Sequence, residues 1–144
     1  MVDITTNSLT GDEIDQFFET GWIEKKALFS SNEIDRIRQC FDNLEALAGG
    51  LDVTTSLQGS HFVLDQNRGQ AVIKRVVWAG GSQPYLLEIG ADPRLTLPSS
   101  QLLGSKELEQ LLSQAHFKRP GDGVIFDWHQ DIQHRDKGGD TWRT

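Results

Sequence analysis

The sequence has almost no cysteine, no long apolar run and few basic residues for its length. Its single cysteine, Cys40, cannot form an internal disulfide and fits a reducing cytosol. No apolar run approaches the ~20 residues that a membrane span needs, and residues 1–4 lack the pattern of a signal peptide. The 21 acidic residues outnumber the 14 basic ones, which argues against a nucleic-acid surface. We therefore expect a cytoplasmic protein that binds neither a membrane nor nucleic acid.

The residues that are present indicate one folded domain. Four tryptophans and seven phenylalanines provide material for a hydrophobic core and argue against disorder. No repeat and no low-complexity linker divides the chain. The simplest interpretation is a single domain over residues 1–144.

Two capping boxes predict helices between residues 10 and 50. Thr10 is followed three residues later by Glu13, and Ser30 is followed by Glu33 at the same spacing. In such a box the hydroxyl and the carboxylate each accept a backbone N–H at the helix start. The first helix is expected to end at Gly21 and the second at the glycine pair 49–50.

The rest of the chain predicts an α+β fold with strands after the first helices. Residues 60–80 contain two β-branched and aromatic runs separated by a turn at 65–69. Residues 86–97 are ambiguous, and residues 105–113 are expected to form a short helix. Residues 114–131 are expected to form strands on either side of a Pro-Gly turn at 120–123. Residues 132–144 have the composition of a flexible tail.

The tetrapeptide Trp128-His129-Gln130-Asp131 is the motif that most strongly indicates a chemical function. On an extended strand, residues i and i+2 point to the same face, so His129 and Asp131 are able to reach one metal ion. An imidazole and a carboxylate are two of the three ligands in the facial triad of non-haem Fe(II) oxygenases. An exposed polar strand end is the plainer interpretation of the same two residues.

This motif, together with the octapeptide 116–123 (HFKRPGDG), resembles the phytanoyl-CoA dioxygenase family. The helix ending in Gly21-Trp22 and the segment Leu28-Phe29-Ser30 before the second helix are also similar to that family. The resemblance implies N-terminal helices and part of a double-stranded β-helix, a jelly-roll, cupin-like barrel. It also implies an Fe(II)- and 2-oxoglutarate-dependent hydroxylase that uses O2 and acts on a small organic substrate.

The resemblance assigns iron ligation to His129 and Asp131, and it implies that Lys74 and His116 face the 2-oxoglutarate pocket. The residues by themselves leave other interpretations open. A solvent-facing side of a sheet explains His116 equally well. The pair Lys74-Arg75 also fits one solvent-facing charge and one aliphatic stem lying along the surface.

The family's distal histidine and its 2-oxoglutarate arginine have no clear counterpart in this sequence. His134 is the remaining candidate for the third ligand, although a continuing strand would turn it to the opposite side from Asp131. We therefore expect the N-terminal portion of an oxygenase. A truncated gene product, an expressed fragment and one chain of a complex are each compatible with that expectation.

Two further hypotheses follow. An incomplete barrel exposes strand edges and apolar surface, so a homo-oligomer or a complementary chain is expected to cover it. The alternative function is a catalytically inactive remnant that acts as an interaction or oligomerising module. Metal-assisted hydrolysis at His129, Asp131 and His134 is less favoured, because no general base or oxyanion donor is evident.

Overall fold

The structure is a computed structural model that describes residues 7–110, 112–121 and 123–128. Four strands form one antiparallel sheet in the order β1-β2-β3-β4, with helices before and within the strand sequence. The elements in chain order are α1 (Gly11–Thr20), α2 (Ser31–Ala48), β1 (Thr55–Leu57), β2 (Ser60–Asn67), β3 (Gln70–Val77), α3 (Pro84–Gly90), α4 (Pro93–Leu103) and β4 (Gln114–His116). The predicted α+β class is confirmed, and the sheet in the described part of the chain is open.

Both predicted capping boxes are formed. The hydroxyl of Thr10 accepts the backbone N–H of Glu13 at 3.2 Å, and the Glu13 carboxylate accepts the Thr10 N–H at 2.8 Å. Ser30 and Glu33 make the same reciprocal pair at the start of α2. Helix α1 ends at Thr20 and is capped by Gly21, whose φ of 83° is the left-handed conformation that favours glycine.

The core lies between α2 and one face of the sheet. Leu44 on α2, Phe62 on β2 and Val76 on β3 are each 0% exposed. Ala115 on β4 and Phe117 just beyond it complete the same buried cluster. We call this side of the sheet the core face, and the opposite side the second face.

A β-bulge in the central strand pair changes which residues of β3 reach each face. Val63 pairs with Arg75, whereas Leu64 pairs with Ile73, so Lys74 is an extra residue on β3. Leu64 and Ile73 pack against the buried cluster on the core face. Lys74 and Arg75 consequently both belong to the second face.

The hairpin between β2 and β3 is tighter than predicted. Strand pairing continues to Asn67↔Gln70, so only Arg68 and Gly69 form the turn instead of residues 65–69. Both turn residues have positive φ, 52° and 80°, as a two-residue type I′ hairpin requires.

Residues 105–110 and 112–113 form no helix, so the helix predicted at 105–113 is wrong. The helices of this region lie earlier, at α3 and α4, and the chain leaves α4 at Gly104 with a φ of 63°. The Ser105 hydroxyl then binds both the N–H and the carbonyl of Glu107, a local bonding pattern that competes with a helix. Further on, the Ser113 carbonyl accepts the N–H of Trp78 at 2.6 Å, which ties the segment to the end of β3.

Within the described residues, the strand prediction over 114–131 is confirmed for β4 alone. Residues 124–128 have no ladder partner among the described residues and form no strand there. They instead bring Phe126 onto His116 of the second face, so side-chain packing replaces strand pairing. Residues 129–131 and the predicted flexible tail 132–144 lie outside the described residues.

Candidate functional site

The structure describes two of the residues singled out from the sequence as site candidates. Lys74 lies at the bulge of β3, and His116 is the last residue of β4. The candidate iron ligands His129 and Asp131 and the candidate third ligand His134 lie outside the described residues.

Lys74 and His116 meet at a common neighbour, the ring of Phe126. The His116 and Phe126 rings are edge-to-face with their centroids 4.8 Å apart. The Lys74 Nζ lies 5.5 Å from the Phe126 centroid, and the Lys118 Nζ lies 5.1 Å from it. Both distances are within the range of a cation–π attraction. We call these four residues the Phe126 cluster.

Sequence reasoning missed Lys118 and Phe126 as members of this cluster. A signal for Lys118 was present, because it lies two residues after His116 and residues at that spacing share a face of an extended chain. No local signal pointed to Phe126, which reaches His116 by way of the Pro-Gly turn. The two-residue alternation along a strand predicts which side chains share a face, but it does not predict the path of a loop.

Lys74 has an acidic partner on the same face. Its Nζ lies 3.6 Å from the Asp65 carboxylate, and the Lys74 side chain is 30% exposed. Asp65 follows Leu64 on β2, so strand alternation turns its side chain to the second face. Half-exposed pairs of this kind contribute at most about 1 kcal/mol, so the ion pair leaves Lys74 able to exchange Asp65 for another anion.

Arg75 is a further cation of the second face that the sequence did not single out. It stands in register between Val63 on β2 and His116 on β4. Its Nε is buried and has no hydrogen-bond partner among the described residues. A buried donor without an acceptor is costly, because the water that solvated it is lost and not replaced.

The loop before the WHQD motif is tied to the fold at two points. Asn67, at the end of β2, donates its side-chain amide to the carbonyl of Gly121 at 3.1 Å. Arg119 forms an ion pair with Glu45 of α2. These contacts fix residues 119–121 beside α2 and the end of β2, and the described segment ends at a fully exposed Trp128.

Two other residues with reactive side chains have ordinary structural roles. His61 on β2 shares a hydrogen bond with the Ser56 hydroxyl, which lies directly opposite on β1, at 3.0 Å. Cys40 is buried on α2, and this burial raises the pKa of its thiol, while the charge of Arg36 acts in the opposite direction. A buried thiol with a raised pKa is a poor nucleophile.

A separate ionic network joins the helices away from the second face. Arg94 at the start of α4 donates to both carboxylate oxygens of Asp92, at 2.8 and 2.7 Å, and to Glu33 at 2.6 Å. It also donates to the Leu28 carbonyl and lies over the Phe29 ring. Hydrogen bonding to Arg94, and then to Ser30, lowers the pKa of Glu33 to about 2. This network positions α4 against the start of α2.

Within residues 7–110, 112–121 and 123–128, no group of three or more His, Cys, Asp or Glu side chains is placed to hold a metal ion. In the same ranges, no helix has the length and apolar character to cross a membrane. Comparisons of the chain with protein-family models, with curated proteins and with solved structures each found no match.

Proposed function

We propose that this chain carries the first part of an Fe(II)- and 2-oxoglutarate-dependent dioxygenase that hydroxylates a small organic substrate. In this proposal His129 and Asp131 bind the iron, and the second face of the sheet forms a wall of the 2-oxoglutarate pocket. The phytanoyl-CoA dioxygenase family, which the sequence resembles, is the proposed relative. His134 or a residue of a second chain supplies the third ligand.

The observation that carries the proposal is the Phe126 cluster. Lys74, Lys118 and His116 gather around one aromatic ring on the face opposite the core. A surface with two ammonium groups complements a dicarboxylate such as 2-oxoglutarate. His129 follows Phe126 by three residues, so the reach of the chain limits how far this proposed metal ligand can lie from these cations.

The chemistry of the donors fits both groups. Imidazole and carboxylate, the types at 129 and 131, are the ligands that non-haem Fe(II) takes. When bound, Fe(II) and 2-oxoglutarate activate O2 for hydroxylation of a C–H bond. The protein's own contribution is to hold a carboxylate at the Lys74 Nζ, in place of Asp65, and to exclude water with the ring of Phe126.

An anaerobic titration tests this function. The purified chain is titrated with Fe(II) and then with 2-oxoglutarate, and the metal-to-ligand charge-transfer absorption of the chelated keto acid is followed. We expect the band in the wild type and its loss in His129→Ala. His61→Ala is the matched control and should keep the band, because His61 is bonded to Ser56 on the β1–β2 hairpin. A wild-type chain with no affinity for either Fe(II) or 2-oxoglutarate would contradict the proposal.

A second candidate function is a non-catalytic interaction module. It is favoured by the open sheet, because the three-residue strands β1 and β4 leave most of the outer edges of β2 and β3 without a ladder partner among the described residues. It is also favoured by exposed apolar side chains, which in the described residues include Phe18, Trp22, Ile125 and Trp128. In this case light scattering should report a metal-independent oligomer that the double variant His129→Ala/Asp131→Ala leaves unchanged. The dioxygenase proposal also expects a homo-oligomer or complementary chain, so metal binding separates the two functions.

A further inference from the structure

Arg75 holds a hydrogen-bond donor that the described protein does not satisfy. Its Nε is buried and without a partner, although almost every buried polar group in a folded protein has one. An acceptor from outside the described residues would remove the cost of this unpaired donor once the side chains that cover Nε move aside.

The surroundings of Arg75 define what such an acceptor would be. Val63 lies opposite Arg75 on β2, and Val77 lies two residues further along β3 on the same face. Both valines are partly buried, and they provide an apolar surface beside Arg75. His116 lies opposite Arg75 on the β4 side.

The charge of this face selects an anion. The Nζ atoms of Lys118 and Lys74 lie 5.1 and 5.5 Å from the centroid of Phe126, and His116 packs edge-to-face on the same ring. Asp65, the acidic side chain that β2 turns to this face, is already engaged by Lys74 at 3.6 Å. A carboxylate brought by a ligand would therefore meet net positive charge, and it would pair with the forked guanidinium in the geometry that arginine favours.

We propose that Arg75, between Val63 and His116, anchors the carboxylate of an organic-acid substrate whose apolar body lies along Val63 and Val77. This proposal rests on the dioxygenase function above, and it separates the two anions of that reaction. Lys74 at the bulge serves 2-oxoglutarate, whereas Arg75 serves the substrate. Under this proposal, the second face at β2 and β3 contributes to the selection of the substrate.

A metal-free binding experiment tests the assignment. The wild-type chain is titrated with hexanoate and with hexanamide, which has the same shape and no charge, and binding is followed by calorimetry and by NMR. We expect hexanoate to bind more tightly than hexanamide. Arg75→Met should weaken hexanoate binding about ten-fold or more, the loss expected for one charge-assisted pair. Arg68→Met is the matched control, because Arg68 is exposed in the β2–β3 turn, and it should change hexanoate affinity less than two-fold.

A stability measurement distinguishes binding from a structural role. Removing an unsatisfied buried donor should leave the ligand-free melting temperature of Arg75→Met at or above that of the wild type. A lower melting temperature together with unchanged hexanoate affinity would make Arg75 a structural residue and overturn the proposal. Equal affinity for hexanoate and hexanamide would overturn it as well.

Arg75→Lys keeps the test decisive if Arg75→Met fails to fold. It retains the charge but lacks the Nε donor and the fork, so we expect an intermediate loss of hexanoate affinity. Wild-type affinity in Arg75→Lys would contradict the role of Nε. The Fe(II) and 2-oxoglutarate band, measured in parallel, should persist in the Arg75 variants. If the wild type shows no such band, the dioxygenase proposal is contradicted. The metal-free hexanoate titration then tests the binding role of Arg75 alone.

Discussion

The side-chain amide of Gln101 forms two hydrogen bonds with the backbone of Leu9, ninety-two residues earlier. Its Oε1 accepts the Leu9 N–H at 2.7 Å, and its Nε2 donates to the Leu9 carbonyl at 3.0 Å. Gln101 of α4 thereby makes the two backbone hydrogen bonds that a paired strand would otherwise make with Leu9. Leu9 itself is 5% exposed, so these backbone groups have little access to water.

Gln101→Ala should lower the free energy of unfolding by about 1–2 kcal/mol, because two backbone groups lose their partner. Urea denaturation measures the change, and hydrogen exchange at the Leu9 amide should accelerate. Gln16→Ala on the exposed side of α1 is the control and should be neutral or slightly stabilising, since alanine is the better helix former. Equal stability of the two variants would contradict the role of Gln101.

The network around Arg94 should make the fold sensitive to acid. The pKa of Glu33 is lowered from 4.5 to about 2, first by hydrogen bonding to Arg94, and the pKa of Asp92 is lowered by the same partner. A carboxyl group whose pKa is lower in the folded state contributes stability above its unfolded pKa. That contribution is lost as the pH falls from about 4.5 through about 2.

Melting temperatures between pH 7 and pH 2.5 test this dependence. Arg94→Met should melt below the wild type at pH 7, and the difference should shrink as the pH falls through the window given by Glu33. Arg38→Met is the control, because the ion pair of Arg38 with Asp35 is exposed on α2 and contributes little. A difference between Arg94→Met and the wild type that stays constant over the whole range would rule out linkage to Glu33 and Asp92.

Gly81→Ala should destabilise the loop after β3. A methyl group at Gly81 would overlap the backbone of Gly59, in the turn between β1 and β2. The same region is held by Ser60, whose buried hydroxyl donates to the Trp78 carbonyl at 2.8 Å and accepts the Ser82 N–H at 2.9 Å. Because backbone atoms cannot rotate away, we expect a loss of about 1–3 kcal/mol in the free energy of unfolding.

Gly11→Ala is the matched substitution, since a methyl group there meets nothing within 4 Å and the residue lies at the start of α1. It should leave stability unchanged or improve it slightly. Equal chemical denaturation midpoints for the two variants would show that the Gly59–Gly81 approach can relax.

Lys74→Met should weaken 2-oxoglutarate binding about ten-fold through the loss of one charge-assisted contact. The protein should stay folded, because the half-exposed pair with Asp65 contributes little. Calorimetry on the Fe(II)-loaded chain measures the affinity. Lys26→Met removes an exposed lysine that pairs with Glu24, and it should leave the affinity unchanged. A similar affinity in both variants would remove Lys74 from the proposed pocket.

The sequence predicted those elements whose signals are local. Thr10 with Glu13, and Ser30 with Glu33, bond within four residues, so the capping pattern alone located α1 and α2. The helices α3 and α4 carried a signal that was missed. Pro84 and Pro93 are each at the first helical turn, where proline fits. Pro98 inside α4 obscured the periodicity of that segment.

The candidate site was only partly accessible from the sequence because its members converge through tertiary structure. Lys74 and His116 are on different strands, and they become neighbours because β3 pairs with β4. Phe126 joins them through a turn that Asn67 holds from the end of β2. The unpartnered Nε of Arg75 results from tertiary packing, which the order of the residues does not reveal.

The extra residue in β3 lets the second face of this strand change without a change on its core face. Ile73 and Val76 are three positions apart, yet both meet the core, because the bulge absorbs one residue between them. Loss of that residue would restore a regular strand, with Ile73 and Val76 still inside and one cation fewer outside. A single codon inserted or deleted at this position could therefore add or remove a charged side chain while the hydrophobic register survives.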